Sequence, residues 1–427
     1  MEDATLRFDQ DFNVSTAAPV GHANDCALTR DLVARGLLSR KDAVDAEHIA
    51  RKQNVSISAV LIRDYRAAEY TIANLQSEAI DCQFINPLEQ PPDLSLVQQI
   101  GPQRCLQLSV LPWRWMGAET ILLTSRLDTF PTAASHVRPD LGPVRMALTT
   151  EELLSRCIQT HFNQALVVHA ETKVASHKSC RNWNTQRVRM IGTIVVLALF
   201  GAMRVAPQIL FAALTGWALL TLTLGTALKA VAAYIGWHHQ PDLDQPKELQ
   251  TLPVITVLVP LYNETAIAEH LLARLKALRY PRALLVICLV LEYNDATTRA
   301  SWGRTILPTW MRAIVVPKGT VKTKPRALNY ALDFARGSII GIWDAEDAPA
   351  PDQLHSVAHH FAEAAPDVAC LQGTLDYYNA DTNWLTRCFT IEYAAWFRVI
   401  LPGLAKLGLV VPLGGTTMFF RRDDLEN

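Results

Sequence analysis

No Gly-x-x-x-x-Gly-Lys-Ser/Thr phosphate loop occurs anywhere along this chain of 427 residues, which excludes the nucleotide hydrolases built on that element. Net charge is missing too: 40 Lys and Arg stand against 41 Asp and Glu, a formal charge of −1. A nucleic-acid partner requires a basic face, so none is expected. The 8 cysteines are scattered, with no Cys-x-x-Cys pair, which argues against a zinc knuckle or a disulfide framework and fits a reducing compartment. The opening residues, MEDATLRFDQDFNV, are acidic and have no apolar core, so they are not a secretory signal. Apolar residues are plentiful, at 50%, ample for two or three domains with real cores.

Residues 1–22 show no periodicity and read as a mobile lead-in. A helical pattern begins at Ala27 and repeats: LVARGLLSRKDA from Leu32 aligns with LIRDYRAAEYTI from Leu61, each a helix end, a turn and a new start. Near Pro91 a second unit begins. LQLSVLPWRW (Leu106 to Trp115) and ETILLTS (Glu119 to Ser125) have the pattern of paired strands, and TEELLSRCIQTHFN forms a closing helix with Thr149 or Thr150 as N-cap.

This order over residues 23–171, helical hairpins and then a small α/β unit, resembles the N-terminal domain of type II secretion and pilus-assembly ATPases, which also occurs fused to glycosyltransferases. Some members of that family bind cyclic di-GMP through an Arg-Leu-Gly element ahead of a Leu-Val-x-x-Gly turn. Here the turn of Leu32, Val33 and Gly36 is preceded by Ala27, Leu28 and Thr29, and the second repeat has Tyr65 where the glycine would stand. Cyclic di-GMP is therefore not the expected ligand, and the resemblance implies a structural domain or one that docks a protein partner.

A basic linker, residues 172–189, carries Lys173, Lys178, Arg181, Arg187 and Arg189. Within residues 190–235, Met190 to Met203 is apolar, Arg204 and Pro207 interrupt, and Gln208 to Tyr234 is apolar apart from Lys229. A bilayer span takes about 20 apolar residues, so a transmembrane helical hairpin is expected. Soluble helices seldom stay apolar all round for so long. The basic cluster before the first span, with Arg204 alone between the two, puts both ends of the hairpin on the cytoplasmic side.

After a second linker, residues 236–251, apolar β-branched runs alternate with helical patterns. VITVLVPLYNE (Val254 to Glu264), LLVICLVLE (Leu284 to Glu292), RAIVVP (Arg312 to Pro317) and GSIIGIW before Asp344 predict a doubly wound parallel sheet. Ligands of such sheets bind beyond the carboxyl ends of the strands. Those ends carry Tyr262, Asn263 and Glu264, then Glu292 and Asp295, then a basic turn with Lys318, Lys322, Lys324 and Arg326, then Asp344, Glu346 and Asp347. An aromatic ring stacks on a base, carboxylates accept from imide and ribose groups, cations meet a diphosphate, and closely spaced acids hold a hard divalent cation. Each set alone is matched by a solvated loop. The four in order on successive strands are not.

Residues 252–427 resemble a family 2 glycosyltransferase of the membrane-bound, processive kind that includes cellulose and hyaluronan synthases. The resemblance rests on VPLYNE at Val259 to Glu264, KPRALNYAL at Lys324 to Leu332, DAEDAPAPDQL at Asp344 to Leu354, Gln372-Gly373, and PLGGTTMFFRRDDL at Pro412 to Leu425. It implies a GT-A-like α/β fold and a UDP-sugar donor bound by Tyr262, Glu264, Asp295, Lys324, Arg326 and Asp344. It also implies Mg or Mn on Asp344, Glu346 and Asp347, and a glycan acceptor near Gln372, Gly414, Gly415 and Thr416. The implied place is the bacterial inner membrane, as a multi-pass protein with both flanking domains in the cytoplasm.

Two departures stand out. The first of the paired acids after the second strand is Asn294, and the family's Thr-Glu-Asp base and Gln-x-x-Arg-Trp motifs do not precede Asn427. The expectation is a truncated chain that binds donor without turnover, its catalytic base unassigned. The rival is a regulatory or docking membrane protein that binds nucleotide without catalysis. His355, His359 and His360 have ligand spacing but no third partner in the pattern, and read as a helix face. Trp384 to Gly408 is aromatic and amphipathic, either a helix lying on a membrane surface or a core helix.

Overall fold

The computed structural model describes residues 22–179, 185–238, 249, 251–264, 268–303, 305–377 and 379–426. The lead-in, Arg181 and most of the second linker lie outside them. The chain begins with four helices, α1 (His22–Ala34), α2 (Arg40–Gln53), α3 (Ile57–Arg63) and α4 (Glu69–Ala79). Ser39 and Ser56 cap α2 and α3, accepting from the Asp42 and Ala59 amides, so each repeat restarts its helix on a serine. The first turn takes its positive φ at Gly36 (71°), whereas in the second, where Tyr65 replaces the glycine, Arg66 takes it (56°). Next come α5 (Leu94–Ile100), α6 (Pro102–Leu108), β1 (Val110–Met116), β2 (Glu119–Thr124), α7 (Phe130–Leu141), β3 (Val144–Leu148) and α8 (Glu151–Thr172). Strand β2 pairs antiparallel with β1 and parallel with β3. Of the two threonines, Thr150 caps α8, its hydroxyl accepting from the Leu153 amide.

Helices α9 (Thr185–Val205) and α10 (Pro207–His238) follow, both long and apolar enough to cross a membrane. The break expected around Arg204 and Pro207 is one residue, Ala206. Its N–H donates to Ala202 and its carbonyl accepts from Leu210, so helical hydrogen bonding runs through the junction and the polar break expected there does not form a loop. Then come β4 (Ile255–Leu261), α11 (Ala268–Lys276), β5 (Leu285–Glu292), α12 (Ala296–Gly303), β6 (Met311–Val316), α13 (Lys324–Leu332), β7 (Ile339–Ile342) and α14 (Gln353–Glu363). The chain continues through β8 (Cys370–Gln372), α15 (Trp384–Ala395), a π-helical turn (Trp396–Ile400), α16 (Leu401–Lys406), β9 (Met418–Arg421) and α17 (Arg422–Glu426).

The chain divides into two compact units. The first holds the described residues of 1–171, 248–369 and 420–427. Its larger sheet runs β6-β5-β4-β7, and the β6–β5, β5–β4 and β4–β7 pairs are all parallel, as the alternation of strands and helices predicts. All eight residues of β5 are buried, as an apolar strand covered on both faces requires.

Helix α8 belongs to this covering. Its Leu154, Ile158, Leu166 and Ala170 share one core with Val286, Cys288 and Val290 of β5 and with Ile314 and Val316 of β6. Those strand residues are spaced by two and therefore lie on one face of the sheet. The Glu151 carboxylate at the start of α8 binds Arg312 Nη1 at 2.5 Å and also Arg336, which precedes β7. Residues 151–171 therefore run from the amino edge of the sheet towards its carboxyl edge, with a kink at Phe162, whose φ of −120° and ψ of 20° are not helical.

The second unit holds the described residues of 172–247 and 370–419. Here α10 packs against residues 396–404 around Ala232, Leu401 and Leu404. The crossing is close enough that a Cβ on Gly236 would meet the Val399 carbonyl, and one on Gly403 the Ala232 carbonyl. Helix α15 has no buried residue, and Trp384 and Ile391 stay 75% and 69% exposed, so it is not a core helix.

Candidate functional site

Beyond β4 the chain leaves the core at Leu261, and Tyr262 is exposed. Asn263 adopts φ 59°, a conformation Asn tolerates better than most residues, and so turns the chain sharply. The turn is held from β5's side: the Asn263 N–H donates to Asp295 Oδ2 at 2.5 Å and the Glu264 N–H to Thr298 Oγ1 at 2.8 Å. Asp295 also accepts from the Thr298 amide (3.0 Å) and hydroxyl (2.6 Å), capping α12. Burial alone would raise the pKa of Asp295. Hydrogen bonds from the Thr298 hydroxyl and the Asn263 amide outweigh it and hold the carboxyl below its ordinary value. Asp295 thus organises the Tyr262–Glu264 turn with its carboxylate, which is buried.

Glu264 behaves in the opposite way. Burial, then the charges of Glu346 and Asp295, push its pKa up. The acids beyond β4, β5 and β7 therefore sense one another at one rim, and added positive charge would be stabilised among them.

Beyond β7 the side chains alternate. Trp343 and Ala345 are buried, while Asp344 is half-buried and Glu346 exposed. The Asp344 N–H donates to Asp347 Oδ2 at 2.8 Å, and Arg274 of α11 donates to the Glu346 carbonyl at 2.7 Å, which fixes this turn. Lys324, the first residue of α13, forms an ion pair with Asp344.

Arg326 corrects the expectation that it faces a donor directly. It lies on the stripe of α13 formed with Ala327, Tyr330 and Ala331, and its side chain is 1% exposed. Its Nη1 is 3.5 Å from both oxygens of Glu292, its Nη2 donates to the Pro317 carbonyl, and its Nε is 3.5 Å from Glu171. Spacing i, i+1, i+4, i+5 on a helix with Ala and Tyr in the other places is the mark of a core-facing position.

Among the described residues no group of three or more His, Cys, Asp and Glu stands ready to hold a metal ion. The His355 ring lies tilted against Tyr280, 5.0 Å between centres, His359 lies 3.4 Å from Glu363, and His360 bonds the Ser356 carbonyl, so the three histidines have local partners. Asp344 and Asp347 present two carboxylates at one strand end, the number a magnesium-type ion takes when phosphate oxygens supply the rest.

In the second unit Gln372 gathers the glycine-rich stretch. Its Nε2 donates to the carbonyls of Gly373 (3.0 Å) and Thr416 (3.1 Å), and its Oε1 accepts from the Gly414 amide at 2.8 Å. Gly415 sits at φ 85°. The residues Gln372, Gly414 and Thr416 are thus brought together as a small loop cluster.

Two contributors, Thr298 and Glu171, escaped sequence reasoning, and so did the contact that Lys322 makes. Thr298 has the helix-start spacing Asp-x-x-Thr, which would have revealed it. Lys322 stood in the basic turn, but its position over the Tyr262 ring, 3.9 Å from the centroid, needed the fold. Glu171 lies 149 residues before Thr320, to which it is bonded, and no local signal announces it.

A profile described as "Glycosyltransferase like family 2" matches residues 253–427. Beta-monoglucosyldiacylglycerol synthase of Trichormus variabilis is 27% identical over 213 residues, 49% of this chain and 43% of that protein. The chain thus spans under half the length of this curated relative. Among solved structures, mannosyltransferase PcManGT from Pyrobaculum calidifontis in complex with GDP-Man and Mn2+ is similar over 48% of this chain and 56% of that one, with 26% identity and a TM-score of 0.35. A structure of MshE with cdg is similar over 31% of this chain and 97% of that one, with 15% identity and a TM-score of 0.28. Residues 253–427 carry a glycosyltransferase family 2 domain.

Proposed function

We propose that this protein is a membrane-bound inverting glycosyltransferase that takes a sugar from a UDP-sugar and adds it to a growing glycan of the exopolysaccharide type. The observation that carries this reading is the convergence of Tyr262, Glu264, Lys322, Lys324 and Asp344 beyond the carboxyl ends of neighbouring parallel strands. Tyr262 stacks on the uracil, Glu264 accepts from imide or ribose hydroxyls, and Asp295 fixes the turn that presents both. Lys324 meets the diphosphate, while Arg326 acts from behind by holding the loop that carries it. Asp344, with Asp347 or Glu346, would hold Mg or Mn, whose charge would offset that of the leaving diphosphate. The glycan acceptor lies against the loop of Gln372, Gly414, Gly415 and Thr416.

The apolar helices α9 and α10 span a bacterial inner membrane, and the basic residues Lys173, Lys178, Arg187 and Arg189 keep the chain before them in the cytoplasm. The apolar side chains of α15 rest on the membrane surface. Residues 23–171 form a domain like that of the secretion ATPases and offer a docking surface to a protein partner.

The test is turnover: full-length protein in detergent or native membranes, supplied with manganese and a panel of UDP-sugars, assayed for free UDP and for sugar in polymer. Release of UDP from one of them with sugar incorporated supports the reading. Activity with GDP-sugars alone would replace the donor. The Lys324–Asp344 pair, which neutralises the acid without a ligand, favours a second reading, a nucleotide-binding regulatory protein without catalysis. Binding of UDP with no release of UDP from any UDP-sugar would select it.

A further inference from the structure

We propose that Glu171, the last acidic residue of α8, is a positioning residue for the donor site, holding in place the basic loop that follows β6; this rests on the donor-site reading above. Its Oε1 accepts from the Thr320 N–H at 2.7 Å and from the Val321 N–H at 3.3 Å, and its Oε2 from the Thr320 hydroxyl at 2.7 Å. The same carboxylate lies 3.5 Å from Arg326 Nε. One side chain therefore holds two successive amides of the loop and the buried arginine that ties Pro317 to Glu292.

The loop is shaped to receive it. At Gly319 a Cβ would meet Glu171 Oε1 and come within 2.9 Å of Arg326 Nε, so a side chain there would push the Glu171 carboxylate off the loop. The hydrogen bond from the Thr320 hydroxyl holds the Glu171 carboxyl below its ordinary pKa, with the two amides and Arg326 adding to it against burial. The loop so fixed carries Lys322 to the Tyr262 ring and leads into Lys324 at Asp344. Glu171 is far from the rim in sequence and close to it in space because α8 lies along the sheet, anchored at its other end by Glu151. Part of the donor site is thus ordered by a segment that precedes the membrane helices.

The experiment measures UDP affinity by calorimetry with manganese on full-length protein in detergent, together with hydrogen exchange of the amides of residues 318–323. The proteins compared are the unaltered chain, Glu171→Ala, Glu171→Gln, Gly319→Ala and Asp344→Ala. A glutamine keeps an acceptor for both amides and a donor for the Thr320 oxygen, so it should rescue. The expectation is at least tenfold weaker UDP binding and faster exchange at Thr320 and Val321 in Glu171→Ala. Glu171→Gln should stay within about threefold of the unaltered protein, and Gly319→Ala should match the alanine variant although its Glu171 is intact. Unchanged affinity in Glu171→Ala, beside lost binding in Asp344→Ala, would overturn the positioning role and leave the donor site standing. If Glu171→Ala does not fold, unaltered affinity in Gly319→Ala overturns it instead. No UDP binding by the unaltered protein would overturn both readings at once, a result distinct from either.

Discussion

Lys322 Nζ lies 3.9 Å from the centre of the Tyr262 ring, so the loop beyond β6 closes onto the turn beyond β4. An exposed tyrosine held from below by a cation is preset as a flat surface, and a base stacked on an aromatic ring is worth about 1–3 kcal/mol. Tyr262→Ala should therefore weaken UDP binding by about tenfold or more, whereas Tyr262→Phe should keep most of it. Lys322→Ala should have a smaller effect, of about 0.5–1 kcal/mol, the size of an exposed cation–π contact. Calorimetric titration of UDP into the three variants checks the order.

The Asp295 carboxylate joins the turn to α12 through three hydrogen bonds. Asp295→Ala should lower stability by about 1–2 kcal/mol through the lost helix cap and free the Tyr262 turn. Because its folded pKa lies below the unfolded value, the stability it adds is present above that unfolded value and lost as pH falls through the folded one. Thermal unfolding followed from pH 7 down to about 3 should show a smaller acid loss in Asp295→Asn than in the unaltered protein.

The start of α8 predicts pH dependence of both signs. Burial, and then the charge of Glu151, push Glu69 up to about 7, while its Oε1 accepts from the Glu151 amide at 2.6 Å. Its raised folded pKa gives stability that is full below about pH 4.5 and lost as pH rises through about 7, on the order of 3 kcal/mol. Burial would raise Glu151 too, but Arg336 and Arg312 hold it at about 2, so its contribution is lost only as pH falls towards that value. Glu69→Gln should flatten the melting temperature between pH 5 and 8 and raise it at pH 8. A steeper decline in the variant would contradict the assignment.

In the second unit, Gly236 and Gly403 let α10 and α16 meet backbone to backbone. Gly403→Leu should cost at least about 1–3 kcal/mol, because a well-packed contact with backbone on the far side cannot yield. Limited proteolysis of full-length protein should then cut faster between residues 384 and 406, with the first unit's melting unchanged.

The strands and their parallel pairing were readable because β-branched apolar runs alternate with helical patterns at regular spacing, and β4 to β7 form where those runs stand. The places of Tyr262, Glu264, Lys324 and Asp344 at the rim were readable for the same reason, since each lies within three residues of a strand end or opens a helix. Arg326 was misplaced because its charge was given more weight than its helical spacing with Tyr330, and a paired arginine can occupy a core position. The packing of α8 on the sheet was not legible at all. It depends on contacts between segments more than a hundred residues apart, such as Glu151 with Arg312, and no local pattern encodes those. It also means that a piece beginning after residue 245 would expose the face of β5 and β6 that α8 covers, so experiments belong on the whole chain.

The most direct test of the donor site at the acidic strand end is calorimetric titration of UDP into full-length protein, with and without manganese, beside Asp344→Ala. Binding that requires the metal and disappears in Asp344→Ala is the predicted result. Folded protein that takes up no UDP under either condition, or an Asp344→Ala variant that binds it unchanged, would contradict the account.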